Sequence, residues 1–175
     1  MILHAITNGA FMFLLNLSLV FSAFLCSLVA GFLFAWAVVI MPGIRSLDDK
    51  AFIRAFQVTD GVIQDGHPLF LLVWLGSAVA IIVCGLLGLS VLQGVDLVLL
   101  SLAVGGYLAG VQGSTIAVHL PLNNTLQRLD LEVMGEEAIA EARAAFESRW
   151  NRSNVIRTAI ACAVSLLLIL LLFRL

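Results

Sequence analysis

The chain has 175 residues, 62% of them hydrophobic and only 11% charged, with a mean hydropathy of +1.11. A water-soluble domain carries about a quarter charged residues, so this composition excludes one and indicates a single-domain integral membrane protein. A formal net charge of −2 with no cluster of lysine or arginine gives nucleic acid nothing to bind and marks no anionic-lipid patch.

The leading MILHAITNGA has no Lys or Arg. The apolar run behind it is too long for a signal-peptide core and no small-residue cleavage site follows, so it is expected to remain as a membrane helix. Four runs, about 11–40, 68–92, 95–120 and 155–174, are long enough to cross about 30 Å of hydrocarbon at about 1.5 Å per residue. The first closes at Met41-Pro42-Gly43. Pro68 opens the second as a first-turn proline, Gln93-Gly94 makes a tight turn into the third, and the third is expected to stop at Pro121. Arg174 ends the fourth at the membrane surface.

Small residues recur one turn apart in every run: Ala23, Ser27, Gly31 and Ala35, then Gly76, Ala80, Cys84 and Gly88. The third run has Gly105, Ala109, Gly113 and Ala117, and the fourth Ala159 and Ala163. Such faces let backbones approach where no hydrophobic effect drives helices together, which predicts a compact all-α four-helix bundle and leaves a homo-oligomer open. The three cysteines sit alone in separate apolar runs and are expected to be buried small hydrophobes.

Basic residues gather in or beside the two long connections: Arg45, Lys50 and Arg54 in one, Arg128, Arg143, Arg149, Arg152 and Arg157 in the other. The positive-inside rule places both connections in the cytoplasm and both termini outside. Ser46-Leu47-Asp48-Asp49 resembles a capping box. Leu47, Ala51, Phe52, Ala55, Phe56, Thr59 and Ile63 then keep the spacing of an amphipathic interfacial helix that ends at Gly66. EEAIAEARAAFESRW is rich in helix formers and runs into the fourth span without Gly or Pro, which predicts one helix from about Glu136 to Arg174.

This topology collects polar residues at one end of the bundle. On a 3.6-residue period Gln112, Thr115 and His119 share a face, and Trp150, Asn154 and Arg157 share another at i, i+4 and i+7. His67, Asn123, Asp60 and Asp65 lie in the same leaflet, while the opposite half offers little beyond Asn16, Ser18 and Ser22. Each has a plain role open to it: Arg157 can snorkel to phosphates, Trp150 can belong to an interfacial belt, and Asn154 or His119 can cross-link helices. Their convergence makes the polar end the candidate site, since intramembrane ionisable groups mark function by default.

Three stretches carry a resemblance: Met41-Pro42-Gly43, Leu120-Pro121-Leu122-Asn123-Asn124-x-Leu126, and Ala144-Ala145-Phe146-Glu147-x-Arg149-Trp150-Asn151-x-x-Asn154-x-x-Arg157-Thr158. In these, over nearly the whole chain, the sequence resembles the anthrone oxygenase family, small bacterial integral membrane proteins grouped as a domain of unknown function. Asp60 and His67 stand where asparagines are expected, and His119 where asparagine is common. The resemblance implies an inner-membrane protein, some of whose relatives oxidise polycyclic anthrones with O₂ and no known cofactor or metal. That chemistry needs a base, an oxyanion donor and a dry pocket, for which His119, then Arg157 and Asn154, then Trp150 and Trp36 are the candidates in this chain. Asn123, Gln112, Thr115, His67 and Asp60 would complete the contacts to a lipophilic polycyclic or phenolic substrate.

Two other readings stay open. One is a non-catalytic membrane module that binds a lipid, quinone or hydrophobic ligand, or serves as an accessory subunit. The other is a metal or haem site using His67 and His119 with Asp60 or Asp65, for which the sequence has no ligand spacing. A transporter would need broken helices or paired repeats that this short chain lacks.

Overall fold

The computed structural model describes the backbone of residues 2–175 and the side chains of residues 9–175; what the sequence says of the leading MILHAITN side chains falls outside the described residues. Helix α1 (Ile2–Ala35) continues through a π-helical turn, Trp36–Ile40, into the short α2 (Met41–Ile44). Then come α3 (Asp49–Gln64), α4 (Pro68–Val91) and α5 (Gly94–Gly105). Two more π-helical segments, Gly106–Gly113 and Thr115–His119, carry the third span into α6 (Leu120–Gln127), and α7 (Glu136–Arg174) follows. Among the described residues four helical stretches are long and apolar enough to cross a membrane: Gly9–Ile44, Pro68–Val91, Gly94–Gln127 and Glu136–Arg174. The protein is an all-α, multi-pass membrane protein.

Helices suit this sequence because hydrocarbon offers no partner for backbone N–H and C=O groups, which a helix satisfies within itself. α1 packs against α4 on one side and α7 on the other, and α5 with the first π-helical segment of its span closes against α7. Leu15, Leu19, Val29 and Leu33 of α1 meet Ile81, Leu100, Tyr107 and Leu168 in the bundle core. Large apolar side chains such as Phe13, Phe21, Leu72 and Leu86 point outward, as a lipid-facing surface requires.

The close helix approaches follow the small-residue stripes read in the sequence only in part. Ala23, Cys84 and Gly88 are buried, and a Cβ on Gly88 would crowd the Leu100 side chain, whereas Gly31, Gly105, Ala109, Ala117, Ala159 and Ala163 are exposed. On the third span it is Gly106 and Gly110 that face α7, one residue on from the stripe, and a Cβ on Gly110 would lie 2.8 Å from the Ile160 side chain. Cys26 and Cys84 are buried, whereas Cys162 lies on the outside of the bundle.

The third span also runs through Pro121 rather than stopping there. Pro121 falls in the first turn of α6, just after the π-helical segment, where its missing N–H leaves no bond unmade. Asp48, not Ser46, caps α3: its carboxylate accepts from Ala51 N at 2.8 Å, while Ser46 Oγ turns back to Gly43 O. Gly66, at φ +78°, makes the left-handed turn into α4.

A second core lies at one end of the bundle. Trp36, Phe52, Phe56, Phe146 and Trp150 pack there with Leu126 and Ile139. Trp36 sits 5.4 Å from Trp150 and 5.5 Å from Phe56, and Phe56 sits 4.6 Å from Phe146, all at the tilted or edge-on angles that aromatic quadrupoles favour. This core fixes α3 against α7, and so sets the floor on which the polar residues stand.

Candidate functional site

The 39-residue α7 carries one buried stripe, from Ile139 through Phe146, Trp150, Asn154 and Arg157 to Leu171, so its residues enter the aromatic core and the bundle in register. Arg157 lies on that stripe, 5% exposed. Its Nε donates to Asn154 Oδ1 at 3.0 Å and its Nη1 to Thr115 Oγ1 at 2.9 Å. Both acceptors are themselves fixed. Asn154 Nδ2 donates to Leu33 O at 3.3 Å, and the Thr115 hydroxyl donates to Val111 O at 2.7 Å, which turns its lone pairs toward the arginine. No carboxylate pairs with Arg157 among the described residues. A guanidinium so buried, with neutral partners only, is complementary to an anion.

His119, 2% exposed, comes from the second π-helical segment of the third span. Its Nε2 lies 3.0 Å from Ser153 Oγ, and its ring stands edge-on to Trp150 at 5.1 Å. Among the described residues its Nδ1 has no protein partner, and neither has Gln112 Nε2. Buried polar atoms are almost always paired, so each orphan points to something it is meant to touch.

Asp60, also 2% exposed, ends the buried face of α3. Asn123 Nδ2 donates to its Oδ1 at 2.8 Å, and Gln64 and Gln127 donate to its Oδ2 at 2.7 and 3.2 Å. Asn123 Oδ1 in turn accepts from Trp150 Nε1 at 2.9 Å. One chain of hydrogen bonds thus ties α3, α6 and α7 together.

These groups meet around a cavity of about 370 Å³. Asp60, Gln112, Thr115, His119, Asn123 and Arg157 form its polar side. Phe32, Phe70 and Trp74 form an apolar wall, with Phe70 and Trp74 stacked at 5.5 Å. Leu71, Leu75, Ile116 and Leu120 edge it between α4 and the third span, and all four also stand on the outer apolar surface. The cavity therefore opens sideways, toward lipid.

Six of the ten candidate residues come together here, and four do not line the cavity. Asn154 is buried behind Arg157 and positions it. Trp150 and Trp36 lie in the aromatic core beneath, where Trp150 backs both His119 and, at 5.8 Å, the Arg157 guanidinium. His67 is exposed just before α4 and does not line the cavity. Among the described residues no three His, Cys, Asp or Glu side chains converge as a metal would require.

Ser153, Gln64, Gln127 and the Phe70–Trp74 wall were not anticipated. Gln64 follows Asp60 by one helical turn and Trp74 follows Phe70 by one, so i, i+4 spacing was the available signal. Ser153 carried none, because only the packing of α7 against the third span brings it to His119.

A family model described as anthrone oxygenase matches residues 63–167, more than half of the chain. The match holds the Leu120–Leu126 and Ala144–Thr158 motifs but not Met41-Pro42-Gly43. No curated protein and no solved structure matches the chain.

Proposed function

The chain belongs to the anthrone oxygenase family, and on that footing we propose that its cavity oxygenates a lipophilic polycyclic or phenolic molecule with O₂, without a cofactor. One observation carries this reading: His119 and Gln112, each with a buried unpartnered nitrogen, line a single aromatic-walled cavity together with Arg157, which has no carboxylate within 4 Å among the described residues. A volume of about 370 Å³ falls at the small end of ligand sites.

The chemistry needs a base, an oxyanion partner and exclusion of water. With its Nε2–H donated to Ser153 Oγ, His119 presents Nδ1 as the base for the acidic ring CH₂ of an anthrone-like substrate. Arg157 and Gln112 are the donors for the enolate oxygen that then develops. The enolate passes one electron to O₂, and the resulting carbon radical and superoxide combine at that carbon. The hydroperoxide, once protonated, loses water to leave the second carbonyl. The balance is substrate CH₂ plus O₂ giving C=O plus H₂O. The lipid-facing mouth suits a substrate dissolved in the bilayer.

Family membership favours a bacterial cytoplasmic membrane, and the arginine and lysine asymmetry favours both termini outside, so the cavity would lie in the cytoplasmic leaflet. The same lateral opening also suits a module that binds a quinone or lipid without turnover. The test is anthrone-dependent O₂ uptake by detergent-purified protein with chelator present, alongside His119→Ala and Arg157→Ala. Uptake that survives chelator and disappears in both variants is expected. Uptake no faster than the buffer's own, with the anthrone still bound, would replace the oxygenase by the binding module.

A further inference from the structure

Five of the nine basic side chains, Arg45, Lys50, Arg54, Arg143 and Arg174, lie within 4 Å of a carboxylate. The other four, Arg128, Arg149, Arg152 and Arg157, meet none among the described residues. Three of those four line one groove of about 560 Å³ on the outside of the bundle, between α7 and the π-helical part of the third span. The sequence showed no cluster here, because Arg149, Arg152 and Ile156 are spread over successive turns and only the helix stacks them.

The groove has two ends of different character. Ser148, Arg149 and Arg152 make one; Ile156 of α7 and Gly110 of the third span lie toward the other, with Ser114 and Val118 along the facing side. Gly110, with no side chain, lets Ile160 of α7 pack against the third span beside the groove. The change falls where α7 passes from the charged ESRWNR run to the apolar stretch beyond Asn154, the level of lipid phosphates on a membrane helix. The protein's net charge is −2, so the two unpaired arginines make the groove a local basic patch on an otherwise weakly acidic protein.

We propose that this groove holds an anionic phospholipid. Arg149 and Arg152 take its phosphate with the Ser148 hydroxyl, and an acyl chain lies along Gly110, Val118 and Ile156. The site is separate from the reading of the cavity and stands whether or not the cavity is catalytic. Both arginines are exposed, so their replacement leaves the fold intact.

The test is native mass spectrometry of the full chain in detergent, titrated with phosphatidylglycerol or phosphatidylcholine. It compares wild type, R149Q/R152Q, and R128Q as an unpaired arginine outside the groove, with circular dichroism to check folding. Wild type and R128Q are expected to retain phosphatidylglycerol over phosphatidylcholine by roughly tenfold or more, and the double variant to lose that preference. Equal retention of the two lipids by wild type, an undiminished preference in R149Q/R152Q, or an equal loss in R128Q would overturn the proposal. Displacement of phosphatidylglycerol by millimolar glycerol phosphate would make the occupant a free phosphate instead, and would overturn it too.

Discussion

Two arginines on α7 are held in opposite ways. Arg143 spends its guanidinium on Leu47 O, Asp49, Arg45 O and Glu147, at 2.8 to 3.0 Å, and lies 4.2 Å over the Phe52 ring. Those bonds fasten the loop before α3 to α7. Arg157 has two neutral partners, lies deeper, and faces a cavity. The residue is the same and the helix is the same, so the surroundings decide the role. A saturated arginine at the edge of a core is a fastener. An unsaturated one in a dry recess is a binding group.

Removing Arg157 should separate the two roles most sharply. Arg157→Gln is expected to lower kcat for anthrone oxidation by on the order of 10²–10³, the cost of losing one oxyanion donor. The melting temperature in detergent should hold or rise, since a buried charge without a carboxylate is itself a burden. Oxygen uptake and a thermal melt on the same preparation decide it. If stability falls along with turnover, Arg157 is a fastener like Arg143 and the comparison fails.

Arg143→Ala should give the converse result. Hydrogen bonds to charged groups contribute about 1.5–3 kcal/mol each net of the bonds water would make, and because several of these partners are exposed and can turn to water, a loss on the order of 3 kcal/mol is expected here. The melting temperature falls, while turnover per folded molecule stays at the wild-type value. Reduced turnover in the folded fraction would mean that the aromatic floor transmits the loss to His119 and Arg157.

How far these two regions were legible in the sequence differs for a physical reason. Apolar length, Pro68, Gly94 and the unbroken EEAIAEARAAFESRW run fix where the four membrane helices lie, because hydrocarbon leaves few alternatives to a helix. Gln112, Thr115, His119 and Arg157 were legible as polar groups that hydrocarbon would not tolerate idly. The π-helical backbone was not legible, since one extra residue per turn changes the register and leaves composition untouched. The Gly105–Ala109–Gly113 stripe misplaced the contact by one residue for a simpler reason: Gly106 and Gly110 have the same i, i+4 spacing, and periodicity does not choose between the two faces. The partners of the site were hidden for another reason: Ser153 beside His119 and Leu33 O beside Asn154 are contacts between distant helices.

Gly110→Ala tests the one place where both properties should change together. The added Cβ would crowd Ile160 at 2.8 Å and push the third span from α7. Overpacking of this kind costs about 1–3 kcal/mol. Because Thr115 rides on the displaced span, its bond to Arg157 loosens as well, so turnover falls with stability. Full turnover in a destabilised Gly110→Ala would show that the Thr115 contact is dispensable to the site.

The smallest effect belongs to the outermost fastener. Glu132 receives Lys50 Nζ at 3.1 Å and Arg54 Nη2 at 2.6 Å, tying α3 to the connection before α7. The hydrogen bond and charge of Lys50, then those of Arg54, hold its carboxyl below the ordinary glutamate value of 4.5. A carboxylate whose folded pKa is depressed stabilises fully above its unfolded pKa, and that contribution is lost as pH falls through the folded value. The melting-temperature gap between wild type and Glu132→Gln should therefore be small but steady near pH 7 and close once the pH falls well below 4.5. It should also shrink in high salt, because all three side chains are exposed and their attraction is screened. Arg157, with no carboxylate to lose, has no counterpart to this acid-side loss. A gap that persisted at low pH would mean that Glu132 acts through packing rather than charge, and the fastening of α3 would then rest on Arg143 and the aromatic core alone.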